Sequence, residues 1–98
     1  LAWRLLAPGS DAFMTITDDA VADMMRELAA LGIVSGESGA ASIAGFAAAA
    51  GDAAMREALC LSRHSRVACI STEGATDAAI YAEIVGRTAA EVLEGATT

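Results

Sequence analysis

The chain contains no lysine: its 6 basic residues are Arg4, Arg26, Arg56, Arg63, Arg66 and Arg87. Without a side-chain amine it cannot by itself hold a carbonyl compound as a lysine Schiff base. Proline is nearly absent, with Pro8 the single one, and no Pro-rich or Ser-rich linker divides the sequence. Two cysteines, Cys60 and Cys69, are too few for a disulfide framework. Both lie in apolar runs, so the expectation is reduced core thiols in a cytoplasmic protein. The single histidine, His64, sits in a polar turn. No Cys/His spacing suggests zinc, and no metal is expected.

Positive charge is scarce as well. Against 6 basic residues stand 13 acidic ones, for a net charge of -7. Nucleic-acid binding is therefore not expected, because phosphate neutralisation needs Lys and Arg gathered on one face. The longest uncharged stretch, residues 38–51, is mostly alanine. It falls short of the ~20 apolar residues of a membrane span. The sequence begins without Met and without a basic-then-apolar leader. That beginning raises the expectation that the chain was cut from something longer.

What is present is apolar. With 98 residues, 55% hydrophobic and 19% charged, the chain reads as one domain or part of one, not as a disordered segment. Residues 1–6 have helical character ahead of the Pro8-Gly9 break. Residues 11–17 form a short β-prone run. A helix then starts at a Thr17 or Asp18 cap, with Asp18, Asp19 and Asp23 near its positive end. Its stripe is Val21, Met24, Met25, Leu28 and Leu31, and Gly32 is its stop. Residues 40–50 read as a small-residue helix buried on most sides. Gly51-Asp52 leads into another helix at 53–61, and 62–65 is a polar turn.

Residues 66–71, Arg-Val-Ala-Cys-Ile-Ser, read as a continuously apolar strand of the kind buried in a parallel sheet. A last helix is expected from a Thr76 or Asp77 cap to about Glu94, with Ile80, Ile84, Val85, Thr88 and Val92 as its stripe. Strands alternating with helices predict an α/β architecture with parallel strands. Two strands leave open edges, so the predicted sheet is incomplete, and its missing strands belong to other polypeptide.

Two glycine turns are placed to do chemistry. One is Ser35-Gly36-Glu37-Ser38-Gly39-Ala40-Ala41, entering a helix. The other is Ser71-Thr72-Glu73-Gly74, between the expected strand and the last helix. Ligands of open α/β sheets gather beyond strand ends, where helix N-termini offer free N–H groups. The plain alternative is that both are ordinary turns and caps. The first is not a Gly-x-Ser-x-Gly elbow, because position 40 is alanine. His64 is a solvated loop residue rather than part of a triad. Asp18, Asp19 and Asp23 are most simply a solvated helix start.

The strings Ile33-Val34-Ser35-Gly36-Glu37-Ser38-Gly39-Ala40-Ala41 and Ile70-Ser71-Thr72-Glu73-Gly74-Ala75-Thr76-Asp77, followed by Ile80-Tyr81, resemble the C-terminal part of the diaminopropionate ammonia-lyases. These are fold type II pyridoxal-phosphate enzymes. The second string is fairly specific to this lyase family, and the first is shared more loosely among its relatives. The resemblance implies that residues 1–98 are the C-terminal part of a three-layer, parallel-sheet large domain. It implies α,β-elimination of 2,3-diaminopropionate to pyruvate and ammonia, with pyridoxal 5'-phosphate in a cleft and a homodimeric assembly.

By the same resemblance Ser71 and Thr72 face the pyridine nitrogen, the choice between them remaining open. Gly36, Glu37, Ser38, Gly39 and Gly74 line the cofactor side. Glu37 and Glu73 orient loops or hold backbone N–H groups, and no catalytic residue is carried over. The Schiff-base lysine, the phosphate loop and the acid/base residues have no counterpart here. The chain is thus expected to be inactive alone and to need the missing N-terminal part of the same enzyme as its partner, besides an amino-acid substrate. Two other readings stand beside this one. One is a piece of a serine/threonine dehydratase-like enzyme. The other is a non-catalytic, self-associating module, α/β or mostly helical.

Overall fold

The computed structural model describes residues 2–97. Six helices follow one another: α1 (Ala2–Gly9), α2 (Asp18–Ala30), α3 (Glu37–Ala50), α4 (Ala53–Ala58), α5 (Ala78–Val85) and α6 (Ala89–Thr97). No strand forms among the described residues. This overturns the expected α/β, parallel-sheet architecture. The β-prone run at 11–17 and the apolar run at 66–71 carry no regular secondary structure. A strand exists only as one side of a hydrogen-bonded ladder, and neither run forms ladder bonds with the other. Residues 66–71 are not buried either: Val67 is 47% exposed and Ile70 73%.

The helix starts follow local chemistry. Thr17 caps α2 by accepting from the Ala20 N–H, Asp52 caps α4 from Met55 N–H, and Asp77 caps α5 from Ile80 N–H. Each removes one orphan donor of a first turn. At the end of α2, Gly32 takes φ 79°, and the Ile33 N–H reaches back 2.9 Å to the Leu28 carbonyl. The left-handed residue is what lets the chain close this motif.

The helix expected at 76–94 is two helices. Gly86 adopts φ 81° and stops α5. Thr88 and Glu91 then form a reciprocal capping box for α6: Thr88 N–H donates to Glu91 Oε1, and Glu91 N–H to Thr88 Oγ1. Hydrogen bonding from Thr88, first from its backbone N–H and then from its side chain, holds the Glu91 carboxyl below its ordinary pKa. The box therefore contributes at neutral pH and is lost as pH falls through that lowered value. The Thr-x-x-Glu signature at 88–91 was in the sequence, but Thr88 read there as part of an apolar stripe.

The core is small: Met25, Leu28, Ala29, Ala40, Tyr81 and Val92. It lies where α2 packs on α3 and α5, with α6 folded against α5. Leu31, expected on the α2 stripe, is instead the helix's terminal residue and is 73% exposed. α3 is buried through Gly39, Ala40, Ala44, Gly45 and Ala49, which at 100° per residue point to several sides of the helix, while Ser42, Phe46, Ala47 and Ala48 stay exposed. Two arginines tie α2 and α5 reciprocally. Arg26 Nε donates to the Ile84 carbonyl at 2.8 Å, and Arg87 Nη2 to the Ala29 carbonyl at 3.1 Å. Each caps the last turn of the other helix, where orphan carbonyls gather.

The molecule exposes 7034 Å², where a compact monomer of 9.8 kDa exposes about 5,200 Å². Its radius of gyration is 15.1 Å, against about 13 Å for a compact chain of this length. Both numbers describe an open arrangement. Trp3 (65%), Leu5, Leu6 and Phe13 stand out in solvent, with Trp3 leaning on Phe13 at 5.6 Å between ring centroids.

Cys60 and Cys69 are exposed free thiols, not core residues. Cys60 occupies the same position after α4 that Gly32 occupies after α2, with φ 56° and the Leu61 N–H bonded to the Arg56 carbonyl at 2.8 Å. A side chain is strained in this conformation. Cys60→Gly is expected to stabilise the fold by about 0.5–1 kcal/mol. Urea unfolding of the two proteins checks this, with a lower midpoint for the variant counting against it.

Candidate functional site

The two glycine turns singled out in the sequence meet in space. Ser35 Oγ and Ser71 Oγ lie 2.8 Å apart, joining residues separated by 36 positions. The Gly36 N–H donates to the Glu73 carbonyl at 3.1 Å. The Ser38 N–H, an orphan donor in the first turn of α3, donates to Glu73 Oε1 at 3.1 Å. Thr76 Oγ1 donates to the other carboxylate oxygen, Oε2, also at 3.1 Å. One glutamate thus caps a helix from outside and braces its own turn. Its negative charge stands at the positive end of α3. The expectation that Glu73 holds backbone N–H groups fits this geometry. Glu37 stands exposed in the first turn of α3 and braces no loop among the described residues.

The glycines explain why the turns can come so close. A Cβ on Gly36 would collide with the Gly74 carbonyl oxygen and approach Glu73 Oε1 at 2.9 Å. A Cβ on Gly39 would lie 2.5 Å from the Glu73 carbonyl oxygen, 2.6 Å from Ser35 Oγ and 2.8 Å from Ser71 Oγ. Both positions are consumed by contact between the loops. Gly74 differs: nothing lies within 4 Å of its virtual Cβ.

Ser71 and Thr72 are both exposed. Ser71 is tied to the buried Ser35, whereas the Thr72 hydroxyl has no partner among the described residues. A hydroxyl carries one donor and two acceptor positions, so both can still meet a ring nitrogen. Any fit to pyridoxal phosphate is therefore confined to what these two hydroxyls could offer a ring nitrogen. The two hollows beside the turns are lined by carboxylates instead. One is a cavity of about 30 Å³ bounded in part by Glu37, Glu73, Asp77 and Tyr81. The other, about 500 Å³, is bounded in part by Asp18, Asp19, Glu37 and Ser38. Neither holds a basic side chain that could receive a phosphate.

Three contributors escaped the sequence reading of the site. Ser35 is 0% exposed and anchors the Ser71 side chain. Ser42 Oγ donates to the Ile70 carbonyl at 3.1 Å and holds the extended segment against α3. The signal for Ser42 was the spacing of Gly39, Ser42 and Gly45, small residues three apart on one helix face. Tyr81 is the third. It is 2% exposed, and its hydroxyl has no partner among the described residues. Burial raises its pKa, with the nearby Arg87 charge working weakly the other way. The 30 Å³ cavity it borders has room for one water molecule.

Two substitutions test this clamp. Gly39→Ala forces a methyl against a backbone oxygen and is expected to cost about 2–3 kcal/mol. Glu73→Ala strips an acceptor from two donors and is expected to cost about 1–2 kcal/mol. Chemical denaturation reads both. A Gly39→Ala protein as stable as its parent would mean that the loops do not touch.

No family model, curated protein or solved structure matches the chain, so the geometry described above is what any functional reading has to stand on.

Proposed function

We propose that this chain is the C-terminal portion of a pyridoxal-phosphate-dependent ammonia-lyase, acting in α,β-elimination of 2,3-diaminopropionate to pyruvate and ammonia. One observation carries the reading: the Ser35–Ser71 contact builds a single hydroxyl-bearing wall from the two turns that resemble this family. In the complete enzyme the cofactor supplies the electron sink for cleavage at the amino-acid carbons. The residues of this chain position the ring. Thr72 and Ser71 offer neutral hydroxyls to the pyridine nitrogen. Such a partner does not enforce ring protonation as a carboxylate would. Ser35 fixes the Ser71 rotamer from behind. Glu73 locks both turns in register, while Gly36 and Gly39 keep them in contact. Glu37, Ser38 and Gly74 complete the rim.

The covalent anchor and phosphate loop belong to other polypeptide in this reading, because these 98 residues hold no lysine. The partner is the N-terminal part of the same enzyme, in a cytoplasmic homodimer. A serine/threonine dehydratase-like parent would use the same wall on a different amino acid, and substrate assays on the complete enzyme separate the two.

A non-catalytic, self-associating module is the second reading. The excess exposed surface and the exposed Trp3, Leu5, Phe13 and Ile70 favour it. Light scattering on the purified chain distinguishes it, since a stable dimer indifferent to cofactor belongs to this reading alone.

Two measurements test the lyase assignment. Mixing the chain with a folded, lysine-bearing N-terminal section and pyridoxal phosphate is expected to produce the absorbance of the bound cofactor. Absence of that band rejects the assignment. In the complete enzyme, Ser71→Ala with Thr72→Val is expected to shift the cofactor spectrum and lower the rate at least tenfold while circular dichroism stays unchanged. An unaltered spectrum and rate would remove both hydroxyls from the site.

A further inference from the structure

Toward the C-terminal end of α3, away from the glycine turns at its start, an open hollow of about 390 Å³ lies between the end of that helix and the loop after α4. Its apolar lining comes from Phe46, Ala50, Leu61 and Val67, and its charged lining from Arg56 and Arg63. The volume falls within the ~300–1,000 Å³ of small-molecule sites, which join an apolar body to a few placed polar groups.

The arginines are the unusual part. Acidic side chains outnumber basic ones 13 to 6 in this chain. A guanidinium here is surrounded on average by an excess of carboxylates, and Arg26 duly pairs with Asp23 at 2.8 Å. Arg56 and Arg63 make no ion pair among the described residues. No acidic side chain lines their hollow.

Arg56 is held by its side chain, and Arg63 only through the turn that carries it. Arg56 Nη1 donates to the Ala50 carbonyl at 2.7 Å, which caps α3 and sets this guanidinium at the rim. Arg63 occupies a tight turn closed twice, by Ser65 N–H to the Ser62 carbonyl at 3.0 Å and by Ser62 N–H to Ser65 Oγ at 2.8 Å. The His64 N–H adds a third bond, to Ser62 Oγ at 3.2 Å. The turn fixes the backbone from which Arg63 reaches, and a guanidinium presents the planar fork that suits a carboxylate.

We propose that this hollow binds a medium-chain carboxylate, with its acid group at Arg63 and Arg56 and its alkyl chain on Phe46, Leu61 and Val67. This assignment is independent of the lyase reading, because none of its residues belongs to the glycine turns.

The test uses the chain itself with octanoate as probe, followed by calorimetry and by backbone amide shifts. Saturable binding is expected, with shift changes centred on residues 50, 61–63 and 67. Octanol, which lacks the charge, and acetate, which lacks the chain, are each expected to bind at least tenfold more weakly. Arg63→Gln is expected to weaken octanoate at least tenfold, since the Arg63 side chain bonds no other group among the described residues. Val67→Glu should abolish binding by placing a like charge in the hollow. Shift changes centred on Trp3 and Phe13 would overturn the proposal as non-specific adsorption to exposed apolar surface. Equal affinity for octanol, or an Arg63→Gln protein that binds as tightly as its parent, would overturn it too.

Discussion

The carboxylate of Glu73 governs the arrangement of everything around the candidate site. It accepts from the Ser38 N–H and from Thr76 Oγ1, while its own carbonyl accepts from the Gly36 N–H. Two of these bonds join the start of α3 to the approach of α5, and the third braces that approach itself. The arrangement has no spare room, since the two places where a side chain would interfere, Gly36 and Gly39, carry none. The Ser35–Ser71 bond then follows from proximity rather than causing it. Hydrogen bonds to an ionised acceptor are about twice as strong as neutral ones. Within this clamp, the bonds to the Glu73 carboxylate outweigh the neutral bond between the serines.

The same clamp shows which parts of the molecule could be read from its residues. Local signals worked. The caps at Thr17, Asp52 and Asp77 and the left-handed stop at Gly32 are short-range chemistry, complete within a few positions. The two turns stood out for their glycines and hydroxyls, although their meeting was a conjecture resting on the resemblance. Long-range outcomes were not legible. The apolar run 66–71 has strand composition, but composition cannot supply a neighbour, and without one the segment lies along α3, held by Ser42. Ser35 and Tyr81 were hidden for the opposite reason. Their importance comes from burial, at 0% and 2% exposure, which no local pattern announces.

The uncovered surface has a physical origin in the helices themselves. Alanine and glycine dominate the buried positions of α3. Small side chains let neighbours approach closely, yet they bury little apolar area apiece. Such a helix is a good floor for something laid across it and a poor source of stability alone. Two extended stretches do lie across it: residues 14 and 16 beside Gly45, and residues 69–71 beside Gly39 and Ser42. Their outward sides, including Met14 and Ile70, remain exposed. Covering them would raise the apolar burial that the small core of Met25, Leu28, Tyr81 and Val92 leaves modest.

Charge separates the two ends of α3 in a way that bears on both proposed roles. Around the glycine turns the hollows are rimmed by Asp18, Asp19, Glu37, Glu73 and Asp77. An anionic group would be repelled there, so in the lyase reading the phosphate of the cofactor has to be held away from these turns, by groups on other polypeptide. The neutral hydroxyls of Ser71 and Thr72 are compatible with that division, because in the proposed reading they would address the ring and not the phosphate. The C-terminal end of α3 carries Arg56 and Arg63 with no carboxylate in their hollow. Fields of opposite sign at the two ends of one short helix keep ligands of opposite charge apart. An anion attracted to the arginine end therefore has no electrostatic reason to compete at the hydroxyls of the glycine turns.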